Sequence, residues 1–221
     1  MKKANMIRFK AVDNAATELT SLLIAAGQQV RATEPGTIRW YGLSRENADD
    51  EVAIFDVFPN QAGRQAHFDG QVAAALADKA PGLVRGGWED GVLANVSNMV
   101  ALAEHEADND VEIRKASYIT LTAAPGKAAE LEAFLAAGRD VVAETEPKTK
   151  YWVALKSEDN LGQFAIFDVF ESDEGRAEHF RGQVAEALAD KADELVARGW
   201  EMGVLANVVH FDVRTNMRRP T

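Results

Sequence analysis

Hydrophobic residues fall along this chain in two alternating rhythms. Ile7-Arg8-Phe9-Lys10-Ala11-Val12 switches between apolar and polar at almost every step, the period of a half-buried strand, and Tyr118-Ile119-Thr120-Leu121-Thr122 reads the same way. Leu19, Leu22, Leu23, Ala26 and Val30 then recur at three- and four-residue spacing, as do Leu131, Phe134, Leu135, Gly138 and Val142, which predicts one apolar stripe on a helix after each strand. Pro125-Gly126 opens the later helix. Glu34-Pro35 and Glu146-Pro147 close the two, because a residue ahead of proline is pushed out of the helical region. Two strands follow, around Trp40 and Phe55, parted by polar Glu46-Asn47-Ala48-Asp49-Asp50. A second helix bears Phe68, Val72, Ala75, Leu76 and Leu83, and a last strand lies within 94–102, or within 206–214 later in the chain. The order is β-α-β-β-α-β, the split pattern of ferredoxin-like domains.

The pattern occurs twice because the sequence does. Ala53-Ile54-Phe55-Asp56-Val57-Phe58 returns as Ala165-Ile166-Phe167-Asp168-Val169-Phe170, and the same spacing carries His67-Phe68 onto His179-Phe180 and Gly87-Trp88-Glu89 onto Gly199-Trp200-Glu201. It also carries Thr33-Glu34-Pro35 onto Thr145-Glu146-Pro147 and Trp40 onto Trp152. Such self-similarity is read before anything else. It predicts an α+β protein of two tandem ferredoxin-like domains, residues 1–103 and 116–221, joined by an acidic linker over 104–115. The near-continuous apolar run from Ala53 to Phe58 implies burial on both sheet faces, so the two domains are expected to pack sheet to sheet.

Composition narrows the chemistry. The 221 residues carry a formal net charge of -11, with no basic block beyond Arg218-Arg219, which argues against a nucleic-acid partner. With no cysteine, a disulfide framework, a thiolate nucleophile and sulfur-ligated metal sites are all excluded. No two histidines stand at helical i, i+3 or i+4 spacing, and the glycines around Trp88 do not link a strand to a helix N-terminus. The expectation is a protein with no metal and no nucleotide cofactor. No apolar run approaches a bilayer-spanning length and no secretory leader opens the sequence, so a cytoplasmic protein away from the membrane is expected.

Several short motifs, in order and twice over, resemble the antibiotic biosynthesis monooxygenase family. They are Ala124-Pro125-Gly126-Lys127 before a first helix, Glu34-Pro35-Gly36-Thr37 after one, and an acidic residue among aromatics in Phe55-Asp56-Val57-Phe58. The last is Ala66-His67-Phe68 on the second helix, repeated as Glu178-His179-Phe180. Where many relatives carry a second histidine one turn later, this chain has Gly70-Gln71 and Gly182-Gln183. The resemblance implies a dimeric α+β barrel, here closed within one chain as an internal pseudo-dimer, with further homodimerisation left open. It also implies a cofactor-independent monooxygenase taking a quinol-like or polycyclic phenolic substrate and dioxygen. A non-catalytic binder of small hydrophobic ligands and a haem-binding or haem-degrading relative are the alternatives.

In that frame His67 and His179 are candidate catalytic bases, since an imidazole titrating near neutrality can take a phenolic proton. The competing reading is a helix-flank histidine bonded to a loop. Asp56 and Asp168, sharing a strand face with Ile54 and Phe58 or their repeats, are candidates to orient those imidazoles; a buried ion pair with an arginine such as Arg39, Arg64 or Arg85 is the competing reading. Trp40, Trp152, Phe68, Phe180, Trp88 and Trp200 are candidate pocket walls, although strand indoles are most often core. Asn95 and Asn207, in an apolar run, read as buried amides that bond backbone or a ligand oxygen.

Overall fold

A computed structural model describes residues 1–107 and 111–219. Among them are eight strands and six α-helices, an α+β protein in which the elements of the repeat recur in the same order. The first set is β1 (Lys3–Lys10), α1 (Ala16–Thr33), β2 (Arg39–Arg45), β3 (Glu51–Phe58), α2 (Gln61–Phe68), α3 (Gln71–Leu83) and β4 (Val96–Glu106). The second is β5 (Lys115–Thr122), α4 (Ala128–Thr145), β6 (Thr149–Ser157), β7 (Gln163–Phe170), α5 (Asp173–His179), α6 (Gln183–Leu195) and β8 (Val208–Arg218). A π-helical turn stands before β4 at Gly87–Val92 and before β8 at Gly199–Val204. No helix among the described residues is long and apolar enough to cross a membrane.

The chain forms two compact units, residues 1–99 with 211–221, and residues 100–210. In unit 1 the strand order is β1-β3-β2-β8, and the pairs β1/β3, β2/β3 and β2/β8 are antiparallel. The strand beside β2 is therefore Phe211–Arg218, from the far end of the sequence, with Trp40 opposite Met217 and a bulge at Gly42/Leu43. In unit 2 the order is β5-β7-β6-β4, with β5/β7 and β6/β7 antiparallel. Glu104–Glu106, which fall in the stretch expected as linker, continue β4; Asp108, Asn109 and Asp110 of that stretch lie outside the described residues.

The core of unit 1 forms where the apolar stripe of α1 (Leu19, Leu23, Val30) and that of α3 (Val72, Leu76, Ala80) meet Ile7, Phe9, Trp40 and Ile54 of the sheet. Leu131, Leu135, Val142, Leu188 and Ala192 do the same in unit 2 against Ile119, Trp152 and Ile166. Trp40 is fully buried, and its six-membered ring fits because Gly27 of α1 has no side chain: a Cβ there would stand 3.2 Å from Trp40 Cζ3 and 2.8 Å from Thr215 Oγ1. Gly138 makes the same room for Trp152.

The helix expected after the Phe55 strand is two helices. α2 ends at Phe68, and Gly70 turns the chain into α3 with an extended backbone (φ -85, ψ 174). A Cβ at Gly70 would lie 3.0 Å from the His67 carbonyl oxygen, a contact tight enough to favour glycine at this corner. The corner fixes where the α2 histidine points, and Gly182 does the same after α5.

Candidate functional site

Glu34 ends α1. Its backbone N–H still reaches the Val30 carbonyl (3.1 Å), but Pro35 stops the helix and the carboxylate swings towards α2. There Oε2 accepts from Nδ1 of His67 at 2.5 Å and from the Thr37 hydroxyl at 3.1 Å. On the other side of the imidazole, Nε2 stands 3.5 Å from Oδ2 of Asp56, which rises from the helix-facing side of β3. Phe58 and Phe68 flank the ring with centroids 5.4 and 5.7 Å away. His67 is 6% exposed and Asp56 fully buried, so the three groups form a buried carboxylate–imidazole–carboxylate row.

Unit 2 repeats the row. His179 Nδ1 is 2.5 Å from Glu146 Oε2, and Nε2 is 3.3 Å from Asp168 Oδ2. The Thr149 hydroxyl donates to Glu146 at 3.1 Å and lies 3.4 Å from His179 Nδ1. Phe170 and Phe180 flank this ring at 5.3 and 5.4 Å.

The charges follow from this placement. Burial pushes the Asp56 carboxyl up to about 6, against the pull of the neighbouring His67. Burial disfavours a charged imidazole, yet the Glu34 hydrogen bond and the Asp56 charge outweigh it and raise His67. His179 is raised further in the same way, to about 10: the charge of Asp168 and the bonds to both carboxylates overcome the desolvation of the ring. At neutral pH the resting His179 is a buried cation. Of the residues expected as bases, His179 is thus held in an ion pair and His67 is shifted the same way, and the side chain nearest each aspartate carboxylate in the row is its histidine. Of the arginines considered for Asp56, Arg64 acts on it through charge while donating to Asn5 and Asn98 (3.2 and 3.4 Å), and Arg85 pairs with Asp13 at 2.8 Å.

Each imidazole forms part of a pocket wall. In unit 1 the cavity is lined by His67, Trp40, Phe68, Trp88, Ile7 and Ile54 among others, and holds about 640 Å³ of unfilled space counted out to its mouth. The counterpart in unit 2, about 500 Å³ on the same count, is lined by His179, Trp152, Phe180, Trp200, Ile119 and Ile166 among others. The six aromatic residues expected as pocket walls are all there, and Trp40 and Trp152 are core and wall at once. Their indole Nε1 atoms are buried without a hydrogen-bond partner. Asp56, Asp168, Glu34 and Glu146 stand behind the histidines and do not line these cavities.

Asn95 and Asn207 stand elsewhere. Each amide donates to carbonyls of the π-helical turn before it, Asn95 to Asp90 and Gly91 (3.2 and 2.9 Å), Asn207 to Met202 and Gly203 (3.3 and 2.9 Å). Asn95 is exposed, not buried, because its run is a turn and not the strand the apolar residues suggest. Glu34 and Glu146 are the site residues that sequence reasoning passed over. Both had been read as helix stops, although their repetition beside a proline was visible. Among the described residues no group of three or more His, Asp or Glu side chains is arranged to hold a metal ion.

No family model matches the chain, and no curated protein matches it. Solved structures do. One, called a "putative monooxygenase", from Fusobacterium nucleatum subsp. nucleatum, superposes with a TM-score of 0.83 at 11% identity, covering 99% of this chain and 94% of that one. Another so called, from Lactobacillus acidophilus, gives 0.79 at 12% identity over 98% and 96%. An anthrone oxidase-like protein gives 0.63 at 11% over 98% and 92%. At such identities the likeness is one of fold, and the fold of this chain is the one these monooxygenase-named structures share, as its resemblance to the antibiotic biosynthesis monooxygenases implied.

Proposed function

We propose that each unit binds one flat, largely apolar aromatic molecule bearing an ionisable hydroxyl, a quinol-like or polycyclic phenol, and that dioxygen oxidises it there without a cofactor. The observation that carries this reading is the pairing, in both units, of an aromatic-walled cavity with a buried histidine braced between two carboxylates at its wall. Overall, the substrate would lose two hydrogens and gain one oxygen atom, while the second oxygen leaves as water.

The protein's share of that chemistry is a base, a water-poor cage and an orientation. In unit 1 the imidazolium would become a base by passing its Nε2 proton to Asp56, whose carboxyl burial raises to about 6. This is the longer of the two ring contacts, which makes Nε2 the nitrogen assigned to the substrate proton. Nδ1 stays on Glu34 and keeps the ring in place. The engagement of both ring nitrogens supports a second reading, a non-catalytic binder of small hydrophobic molecules in which the row is a structural ion pair.

Oxygen uptake with a panel of quinols and anthrones, run with and without chelator, separates the two. The oxygenase reading expects uptake that survives the chelator and disappears in a His67→Asn/His179→Asn double variant that still folds and binds. Binding without uptake from any of the panel would establish the binder instead.

A further inference from the structure

Arg219 follows β8 and belongs to unit 1, where it lies across the end of α1. Its backbone N–H donates to the Ile38 carbonyl at 2.9 Å and its Nε to the Thr37 carbonyl at 3.1 Å. Nη2 is within reach of the carbonyls of Arg31 (2.6 Å), Val30 (3.2 Å) and Glu34 (3.4 Å). Three of these five acceptors are carbonyls at the C-terminal end of a helix, where the dipole favours a cation. The other two, on Thr37 and Ile38, lie on the far side of the Glu34–Thr37 turn, itself closed by the Thr37 N–H on the Glu34 carbonyl at 3.1 Å. One guanidinium therefore clamps both ends of the turn that brings Glu34 and Thr37 to Nδ1 of His67. In unit 2 the corresponding position is Ala107, whose N–H reaches the Lys150 carbonyl at 3.1 Å but whose methyl cannot bond the Glu146 turn; there Lys150 Nζ donates to the Pro147 carbonyl at 3.0 Å instead.

We propose that Arg219 is a positioning residue of the unit 1 site, holding the Glu34 turn so that its carboxylate stays on His67, and that unit 2 does without a guanidinium across the end of its helix. Arg219 acts through the turn and touches neither His67 nor the cavity. The groups facing His67 directly are Glu34 after α1, Asp56 on β3 and the rings of Phe58 and Phe68, while Arg64 on α2 acts on Asp56. Letting the turn drift removes the Glu34 bond and with it one of the causes that hold a proton on His67.

The test is a histidine-resolved NMR titration of the full chain, which does not depend on turnover. Arg219→Ala should lower the His67 midpoint by about half a pH unit or more while leaving His179 unchanged, and Arg219→Lys should restore part of the shift. If Arg219→Ala fails to fold, Arg219→Gln, which keeps amide donors without the charge, is titrated in its place with the same direction expected. A His67 midpoint unmoved in the folded variant, or His67 and His179 falling together, would overturn the proposal. Loss of oxygen uptake with an unmoved titration would speak to the reaction alone and would also leave Arg219 without this role.

Discussion

The two histidine rows match closely, yet their surroundings do not. Both keep the 2.5 Å contact to glutamate and a longer one, 3.5 or 3.3 Å, to aspartate. Beside the row in unit 1, Asn5 and Asn98 draw the Arg64 guanidinium inward, where its charge lowers Asp56. At the corresponding positions unit 2 has Ser117 and His210, which pair with each other at 3.0 Å; the i−3 partner of the arginine, neutral Gln61 for Arg64 (3.1 Å), is the carboxylate of Asp173 for Arg176 (2.6 Å). Where unit 1 has Gly36 close against Gly63, unit 2 has Lys148, paired with Glu174 and Glu178. The groups in contact with the ring are kept in both copies, while the charges around them have drifted. A duplicated site can thus hold its geometry and still differ in how firmly it holds a proton.

Removing residues 211–221 should separate the copies most sharply. Unit 1 would lose the strand paired with β2, including Phe211 and Met217, both fully buried, and the Arg219 clamp, whereas unit 2 keeps all of its own residues. The expected result is His67 in an unfolded environment and His179 in a native one, read by NMR, and a truncated chain with both signals native would break the comparison. A smaller contrast lies in the aspartates. Asp168→Ala strands the His179 cation with a single partner and should cost about 3–5 kcal/mol in urea unfolding at pH 7. Asp56→Ala should cost less, because it also removes a carboxylate that burial already disfavours. Equal costs would show that the surrounding charges do not matter. The smallest contrast is steric: Gly27→Ala drives a methyl into Thr215 and Trp40 and should destabilise by about 1–3 kcal/mol. For Gly138→Ala the nearest atoms belong to Trp152 and Val184, at 3.2 Å and beyond, and the helix preference for alanine should bring it within about 1 kcal/mol of wild type.

The sequence made the elements legible, and two of the three groups in each row. Strand and helix periods located β1, α1, β3 and α3 and their repeats, and the period of two put Asp56 on the same face as Ile54, the face that α2 covers. Glu34 was hidden because a glutamate before proline already had an explanation as a stop signal. Asn95 was misplaced because Val92, Leu93 and Val96 look like strand residues, yet the chain there forms a π-helical and a 3₁₀ turn whose carbonyls the amide satisfies. The break after Phe68 was missed because Gly70 sits at a spacing that leaves the apolar stripe unbroken. That β2 takes its outer neighbour from β8 has no signature in periodicity at all, since two copies of one strand carry the same pattern.

That last pairing sets a timetable. β2 ends at Arg45 and its partner begins at Phe211, so at roughly 5–20 residues per second a ribosome would need about 8–33 s to supply the missing strand. Unit 2, drawn from the continuous stretch 100–210, is fully synthesised before unit 1 is. The N-terminal unit is thus the last to be completed, and a nascent chain must carry β2 without its β8 partner through nearly all of its synthesis.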